Sequence, residues 1–197
     1  MQSRIAVTLL GWSVGLVACG DAGRRDAGAD RDQPGVAQDS PAADTAARNV
    51  TASMRDAAGK DLGTLTLTEG NPTITVAGRL SGLPPGEHAI HLHTVGRCEP
   101  PKFESAGDHW NPTNRQHGTD SPRGPHLGDL PNFTVSQDRS AMIEAPTPGG
   151  TLRGDTALLD SDGAAVVVHA RRDDYKTQPA GNSGDRIACG VVEGGER

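Results

Sequence analysis

The chain has 197 residues, enough for one domain with its own core but not for two. Aromatic residues make up only 3% of it and glycines number 26, which favours short strands and turns over a helical bundle. The formal net charge of -6 argues against nucleic acid as a partner, although the field near a site can still attract a small anion.

Residues 1–19 have the pattern of an export signal. A positively charged start precedes an apolar run that is too short and too interrupted to span a bilayer as a mature helix. The segment closes on Leu16-Val17-Ala18-Cys19, which resembles the end of a bacterial lipoprotein signal, where the cysteine is lipidated. Ordinary cleavage is the alternative, because Gly20-Asp21-Ala22 offers a small-x-small site. We expect a periplasmic protein of a bacterial cell envelope that contacts the membrane only through lipidated Cys19.

Residues 20–48 predict a disordered linker. They are almost wholly small, polar or charged, with Val36 the only sizeable apolar residue. Such a stretch cannot bury enough apolar surface to offset the entropy lost on ordering. As a flexible tether it would reach on the order of 30 Å and hold the domain of residues 49–197 clear of a membrane surface.

From Val50 onward the pattern is typical of β-structure. Residues 62–68 and 73–77 alternate apolar and polar positions, residues 56–60 predict a hairpin turn, and residues 83–86 predict a stiff corner. Further strands are predicted at residues 132–135, 141–144, 164–169 and 187–192. No convincing amphipathic helix is present. The sequence therefore predicts an all-β fold, a Greek-key β-barrel or sandwich of about eight antiparallel strands with two long functional loops.

All seven histidines fall within residues 88–169, in an order that fits a two-metal site. His91 and His93 are two apart in an alternating run, so on a strand they point to one face about 6.6 Å apart. Both rings can then reach one metal ion while Leu92 faces the core. His88 would fall on the opposite face, and we interpret it as structural.

Six imidazoles and a carboxylate exceed the four ligands of a tetrahedral zinc site, so two ions fit better than one. A loop rich in glycine and proline supplies three nitrogens and one oxygen, a closed zinc set: His109, His117, His126 and Asp129. His91, His93 and His169 remain, and His109 is close enough in sequence to serve both metals. Four imidazoles in a near-square arrangement suit Cu(II), with His109 using one ring nitrogen for each metal.

Four segments, in register across residues 50–192, carry a specific pattern. They read GEHAIHLH at 86–93, SAGDHWNP at 105–112, HLGDLPN at 126–132 and GNSGDRIACG at 181–190. Together they closely resemble the copper/zinc superoxide dismutase family. One departure is Trp110, which stands where the family usually has Phe and enlarges the aromatic side chain beside the bridging histidine.

The resemblance implies a role for each metal-site residue. The copper ligands would be His91, His93, His109 and His169. The zinc ligands would be His109, His117, His126 and Asp129. Asp173 matches a carboxylate that bridges a ligand of each metal, and Arg186 matches a guanidinium beside the copper, so that Arg186 and His109 would be the catalytic residues.

The chain contains three cysteines. Cys98 and Cys189 are expected to pair, which would tie the start of the metal loop to the final strand and leave Cys19 for the lipid anchor. The alternative of two buried free thiols suits an exported protein poorly.

The resemblance implies dismutation of superoxide to oxygen and hydrogen peroxide by redox cycling of copper, which would protect the envelope from extracytoplasmic superoxide. Arg186 offers a cationic fork to a small anion. Arg171, Arg172 and Lys176 are candidates for additional positive potential near the entrance. The alternative is a copper-binding or copper-delivery protein that uses the same fold without turnover. Family members of bacteria occur as monomers and as homodimers, and the sequence leaves this open.

Overall fold

The computed structural model describes residues 49–70, 72–154 and 156–194. The predicted signal at 1–19, the predicted linker at 20–48 and Cys19 lie outside the described residues. Within those ranges, no helix is long and apolar enough to cross a bilayer.

The described regular structure consists of nine β-strands and one short 3-10 helix, Glu104–Ala106. The strands are β1 (Asn49–Asp56), β2 (Asp61–Glu69), β3 (Ile74–Ser81), β4 (Gly86–His88), β5 (Ile90–His93), β6 (Phe133–Val135), β7 (Ser140–Pro146), β8 (Ala165–His169) and β9 (Arg186–Gly194). Seven strands form one sheet in the order β5-β8-β9-β1-β2-β3-β7, and β4 pairs with β6 in a second. Every strand pairing is antiparallel. The predicted all-β, antiparallel fold is confirmed, with nine described strands instead of about eight.

The hairpin between β1 and β2 shows how local sequence sets this sheet. Asp56 Oδ1 accepts hydrogen bonds from the backbone N–H groups of Ala58 and Lys60, both at 2.9 Å. Gly59 has φ +81, in the left-handed region that glycine adopts without steric cost. The turn predicted at residues 56–60 is therefore present, and it aligns the alternating apolar side chains of both strands on the buried face.

The extra strand arises because Ala89 divides what the sequence presents as one strand. The N–H of Ala89 donates to the Arg171 carbonyl and its carbonyl accepts from the N–H of His169, both at 2.9 Å. Strand β4 can then pair with β6 while β5 pairs with β8. His88 consequently lies in the smaller sheet, so its predicted place on the opposite face of the His91 strand was wrong.

His88 still has structural contacts. Its ring is buried, with Nδ1 2.7 Å from the His169 carbonyl and Nε2 2.9 Å from the Pro84 carbonyl. The side chain thus links the corner before β4 to the end of β8, outside both groups of candidate metal ligands.

Two points of the loop between β5 and β6 dock on one residue of β5. The N–H of Leu92 donates to the Gly128 carbonyl at 3.0 Å, and the Leu92 carbonyl accepts from the N–H of Trp110 at 2.8 Å. Gly128 in turn donates to the Trp110 carbonyl at 2.8 Å, and a Cβ at Gly128 would collide with the Leu92 carbonyl. These contacts set two pairs of residues opposite each other in isolated β-bridges, His93 with His109 and His91 with Asp129.

Candidate metal centre

Two clusters of buried potential ligands meet at His109. The first contains His91, His93, His109 and His169. The second contains His109, His117, His126 and Asp129. Within each cluster the ligand atoms lie within 4.8 Å of one another. The fold therefore brings together the same two sets of side chains that the sequence predicts.

The first cluster has four ring nitrogens that are buried without a hydrogen-bond partner among the described residues. They are Nδ1 of His91 and Nε2 of His93, His109 and His169. Leaving one buried polar atom unpaired costs about 1–3 kcal/mol, so four of them in one cluster call for a common partner. Four converging imidazole nitrogens are a donor set that copper accepts.

The opposite ring nitrogens of the first cluster are all held by the protein. Nε2 of His91 lies 2.9 Å from Asp173 Oδ2, and Nδ1 of His93 lies 2.9 Å from the Gly107 carbonyl. Nδ1 of His169 lies 3.1 Å from the Ser183 hydroxyl. One fixed nitrogen and one free nitrogen is the arrangement that orients a histidine toward a metal.

Asp129 is the centre of the second cluster. Its Oδ1 lies 2.9, 3.0 and 3.2 Å from Nδ1 of His109, His117 and His126, respectively. The Nδ1 of His126 nevertheless makes no aligned hydrogen bond. Asp129 Oδ2 accepts from the backbone N–H groups of Gly118 at 2.8 Å and His126 at 2.9 Å, which fixes the carboxylate. Three nitrogens and one oxygen facing each other fit a closed tetrahedral zinc site.

Asp173 connects the clusters. Its two carboxylate oxygens lie 2.9 Å from Nε2 of His91 and 3.0 Å from Nε2 of His117, and its side chain is fully buried. Asn132 accepts from the backbone N–H of Asp173 at 2.8 Å and donates to its carbonyl at 2.9 Å. The bridging position predicted for Asp173 agrees with this geometry, whereas the clamp by Asn132 had no sequence-based prediction.

The charge state of the first cluster suits metal binding. Burial lowers the pKa of His91 well below its usual range, and the nearby His109 lowers it further. The same two causes lower the pKa of His93, and burial lowers the pKa of His169 to about 4. These imidazoles are neutral near pH 7, as metal ligands must be.

The carboxylates remain ionised. Burial by itself would raise the pKa of Asp129, but hydrogen bonds with His109 and His117, together with the adjacent His126 ring, hold it well below its usual range. The pKa of His117 is raised to about 9, because the contacts with Asp129 and Asp173 outweigh the effect of its burial. A ligand must be deprotonated, so metal binding at the second cluster displaces this proton from His117.

Arg186 is fixed beside the first cluster by main-chain oxygens. One guanidinium nitrogen donates to the Phe103 carbonyl and another to the Gly107 carbonyl, both at 2.8 Å. The Gly107 carbonyl also contacts His93, so it holds the arginine and a ligand ring together. Neutral partners leave the positive charge of Arg186 available to an anion.

A pocket of about 920 Å³ opens over both clusters, with Thr94, His109, His126, His169 and Arg186 in its lining. The three other candidate cations are exposed and do not line this pocket: Arg171, Arg172 and Lys176. Arg172 Nε instead lies 3.6 Å from Glu87 Oε2. A role for these three in attracting substrate stays a prediction.

The predicted disulfide is confirmed. Cys98 and Cys189 are bonded, with their Cα atoms 5.6 Å apart and a separation of 91 positions in sequence. The bond connects the segment after β5, the strand that carries His91 and His93, to the middle of β9, the strand that begins at Arg186.

Comparisons with known proteins agree with this geometry. A family model described as "Copper/zinc superoxide dismutase (SODC)" matches residues 62–192. The chain is 41% identical over 138 residues to a Cu-Zn superoxide dismutase of Aquifex aeolicus, covering 68% of this chain and 82% of that protein.

Two solved structures are also similar. A SOD-like protein from Bacillus subtilis superposes with a TM-score of 0.69 at 35% identity, covering 73% of this chain and 97% of the other. A Cu/Zn superoxide dismutase from Brucella abortus gives 0.62 at 27% identity, covering 74% and 99%. Because the family model spans more than half of the chain and the two clusters offer donor sets for copper and zinc, this chain belongs to the copper/zinc superoxide dismutase family of oxidoreductases.

Proposed function

We propose that the chain dismutates superoxide to oxygen and hydrogen peroxide at the four-histidine cluster. The observation that carries this proposal is the set of four unpaired ring nitrogens facing one another with the Arg186 guanidinium fixed beside them. Dismutation of an anionic radical calls for a redox-active metal and a positive group close to it. The pocket over the cluster is lined by two of the four potential copper ligands, His109 and His169, and by Arg186.

Each chemical demand of this reaction falls to an identifiable group of this chain. Copper held by His91, His93, His109 and His169 would supply one-electron chemistry, taking an electron from one superoxide and giving it to the next. Arg186 binds and orients the anion, because its planar fork carries a permanent charge. Asp129 and Asp173 orient the ligand rings, and they also keep negative charge next to the metals.

The same chain groups would manage protons. Peroxide requires two protons per turnover, and Nε2 of His109 is a buried, unpaired nitrogen of a residue that lines the pocket. His109 Nδ1 meanwhile faces Asp129 at 2.9 Å, so the ring keeps one orientation whether or not Nε2 carries a proton. We therefore assign proton transfer to Nε2 of His109.

A copper-binding or copper-delivery protein without turnover is the second candidate, since one similar structure is described as only SOD-like. A carrier has no need of Arg186 or of the second cluster, and this chain has both. Copper and zinc analysis combined with a superoxide assay on the purified protein separates the two. About one copper and one zinc per chain with rapid dismutation supports the enzyme, whereas bound copper without dismutation supports the carrier.

We also propose that the protein acts in the bacterial periplasm, anchored through Cys19, where it removes extracytoplasmic superoxide. The support is the sequence: the apolar run ending in Leu16-Val17-Ala18-Cys19 and a polar segment of residues 20–48 before the domain. The Cys98–Cys189 disulfide is consistent with an oxidising compartment, and it leaves Cys19 as the odd cysteine.

Cys19→Ser is expected to abolish lipid attachment and to release an active enzyme into the soluble fraction. The thiol is the attachment atom, while the metal clusters depend on residues 91–173. Membrane fractionation and mass spectrometry of the N-terminus measure this. An unmodified N-terminus just after Ala22 in the native protein would establish ordinary signal cleavage instead.

A further inference from the structure

The Trp110 side chain joins the metal pocket to a loop that has no metal ligand. The ring is 4% exposed, and its Nε1–H donates to the Ala157 carbonyl at 3.1 Å. A Cβ at Gly150 would collide with the edge of the indole, so the absence of a side chain there makes room for the large ring. Trp110 therefore contacts both ends of the segment from Gly150 to Ala157.

This segment belongs to the connection between β7 and β8, and we call its described residues, 150–154 and 156–160, the entrance loop. Its own hydrogen bonds close it: the N–H of Leu158 donates to Thr151 at 2.9 Å and that of Leu159 to Leu152 at 3.1 Å. Leu152 and Leu158 are each 1% exposed and pack into the main core. The loop is thus held from below by apolar contacts and from the side by the indole.

The entrance loop forms part of the pocket over the metal clusters. Gly154, Thr156, Ala157 and Asp160 line it together with His169 and Arg186. The carbonyl that accepts from Trp110 is therefore on a pocket-lining residue, Ala157. A shift of the loop would widen the route to the four-histidine cluster without moving a ligand.

We propose that Trp110 is a positioning residue that holds the entrance loop as a wall of the metal pocket and so restricts by size which molecules reach the copper position. This proposal rests on the proposed function only in taking the four-histidine cluster as the copper site. Phenylalanine keeps an aromatic ring at this position but has no N–H to donate. Trp110→Phe consequently removes the hydrogen bond to Ala157 and leaves its carbonyl unpaired.

The test uses the copper- and zinc-loaded protein and two copper-removing agents after reduction with ascorbate, small cyanide and bulky bathocuproine disulfonate. In Trp110→Phe, copper extraction by the bulky agent should accelerate about tenfold, the effect of losing one hydrogen bond to a partly buried carbonyl. Extraction by cyanide should be unchanged. Native-state trypsin cleavage after the exposed Arg153 should accelerate by a similar factor.

Two further variants make the result specific. Ile143→Val removes a methyl group from the same core, at a residue of β7 outside the entrance loop, and controls for general loss of stability. Gly150→Ala should lower the free energy of unfolding more when Trp110 is present than when it is combined with Trp110→Phe, because the smaller ring leaves room for the methyl group. The strain of a side chain at φ +94 is the same in both backgrounds and cancels in this comparison.

The proposal is overturned if Trp110→Phe accelerates copper extraction by cyanide and by the bulky agent equally, or accelerates neither. It is also overturned if Ile143→Val has the same effect on extraction as Trp110→Phe. Faster cleavage at Arg153 without faster bulky extraction also overturns it, since the loop would then move without controlling access. A protein that binds no copper would refute the proposed function, and the trypsin comparison would still report whether the indole holds the loop.

Discussion

Arg186→Ala is expected to slow superoxide consumption by roughly tenfold or more while leaving both metals bound. The guanidinium donates to two carbonyls and is not a ligand, so its loss removes attraction for the anion without emptying either cluster. Superoxide decay after pulsed generation measures the rate. Copper content, zinc content and the visible absorption of the copper centre should match those of the wild type.

Variants that change the sign or the shape of the charged group at position 186 are the controls for this prediction. Arg186→Glu should be slower than the alanine variant, because repulsion replaces attraction, and the dependence on ionic strength should weaken once the positive charge is gone. Charge alone predicts that Arg186→Lys retains most activity. The structure lowers that expectation, because an ammonium group cannot reproduce a planar fork to the Phe103 and Gly107 carbonyls. Unchanged rates in both the Ala and Glu variants at full copper loading would remove Arg186 from the mechanism.

Asp129→Asn is expected to weaken zinc binding by more than about 100-fold, since changing even an outer partner of a ligand costs 10–100-fold. The carboxylate faces three ring nitrogens, and an amide at this position would bring a neutral oxygen or an NH₂ group instead. The loop of residues 107–130 should loosen, while some copper activity remains. Zinc competition with a chromophoric chelator and hydrogen exchange across residues 110–128 measure these effects.

Asp120→Asn makes the same chemical change at an exposed position of the same loop and is the matched control. It should leave zinc affinity and loop protection at their wild-type values. If Asp129→Asn instead removed copper and zinc to the same extent, the assignment of Asp129 to the zinc cluster alone would be wrong.

The alternation of apolar and polar residues predicts most of the sheet because one face of each strand is buried. Residues 62–68 illustrate this, since they fall on β2 within one residue of the predicted ends. Residues 164–169 are instead a continuous apolar run, and they fall on β8, which is buried at every position. The metal-site residues can also be predicted from the sequence, because the ligands are side chains and the sequence states directly which residues carry a donor atom. His91 and His93 reach one cluster for the reason that the two-residue spacing predicts.

Other features depend on partners that are distant in sequence. The break at Ala89 exists because β4 pairs with β6, more than forty residues later in the chain, whereas β5 pairs with β8. Gly107 holds His93 and Arg186 through its carbonyl oxygen, a group that every residue carries and no sequence pattern identifies. The clamp on Asp173 by Asn132 could have been suspected only as an amide close to the Asp129 segment.

The docking of Trp110 and Gly128 on Leu92 closes the segment between these two residues into a ring whose ends are both fixed by one residue of β5. Between those ends, residues 112–115 are exposed and carry no candidate ligand. For a flexible loop with fixed ends, doubling its length adds only about 0.6 kcal/mol of closure entropy. Residues 112–115 are therefore a natural place to graft a peptide tag or a second binding module, one that would lie beside the metal pocket while Leu92 keeps Trp110 and Gly128, the neighbours of His109 and Asp129, in place.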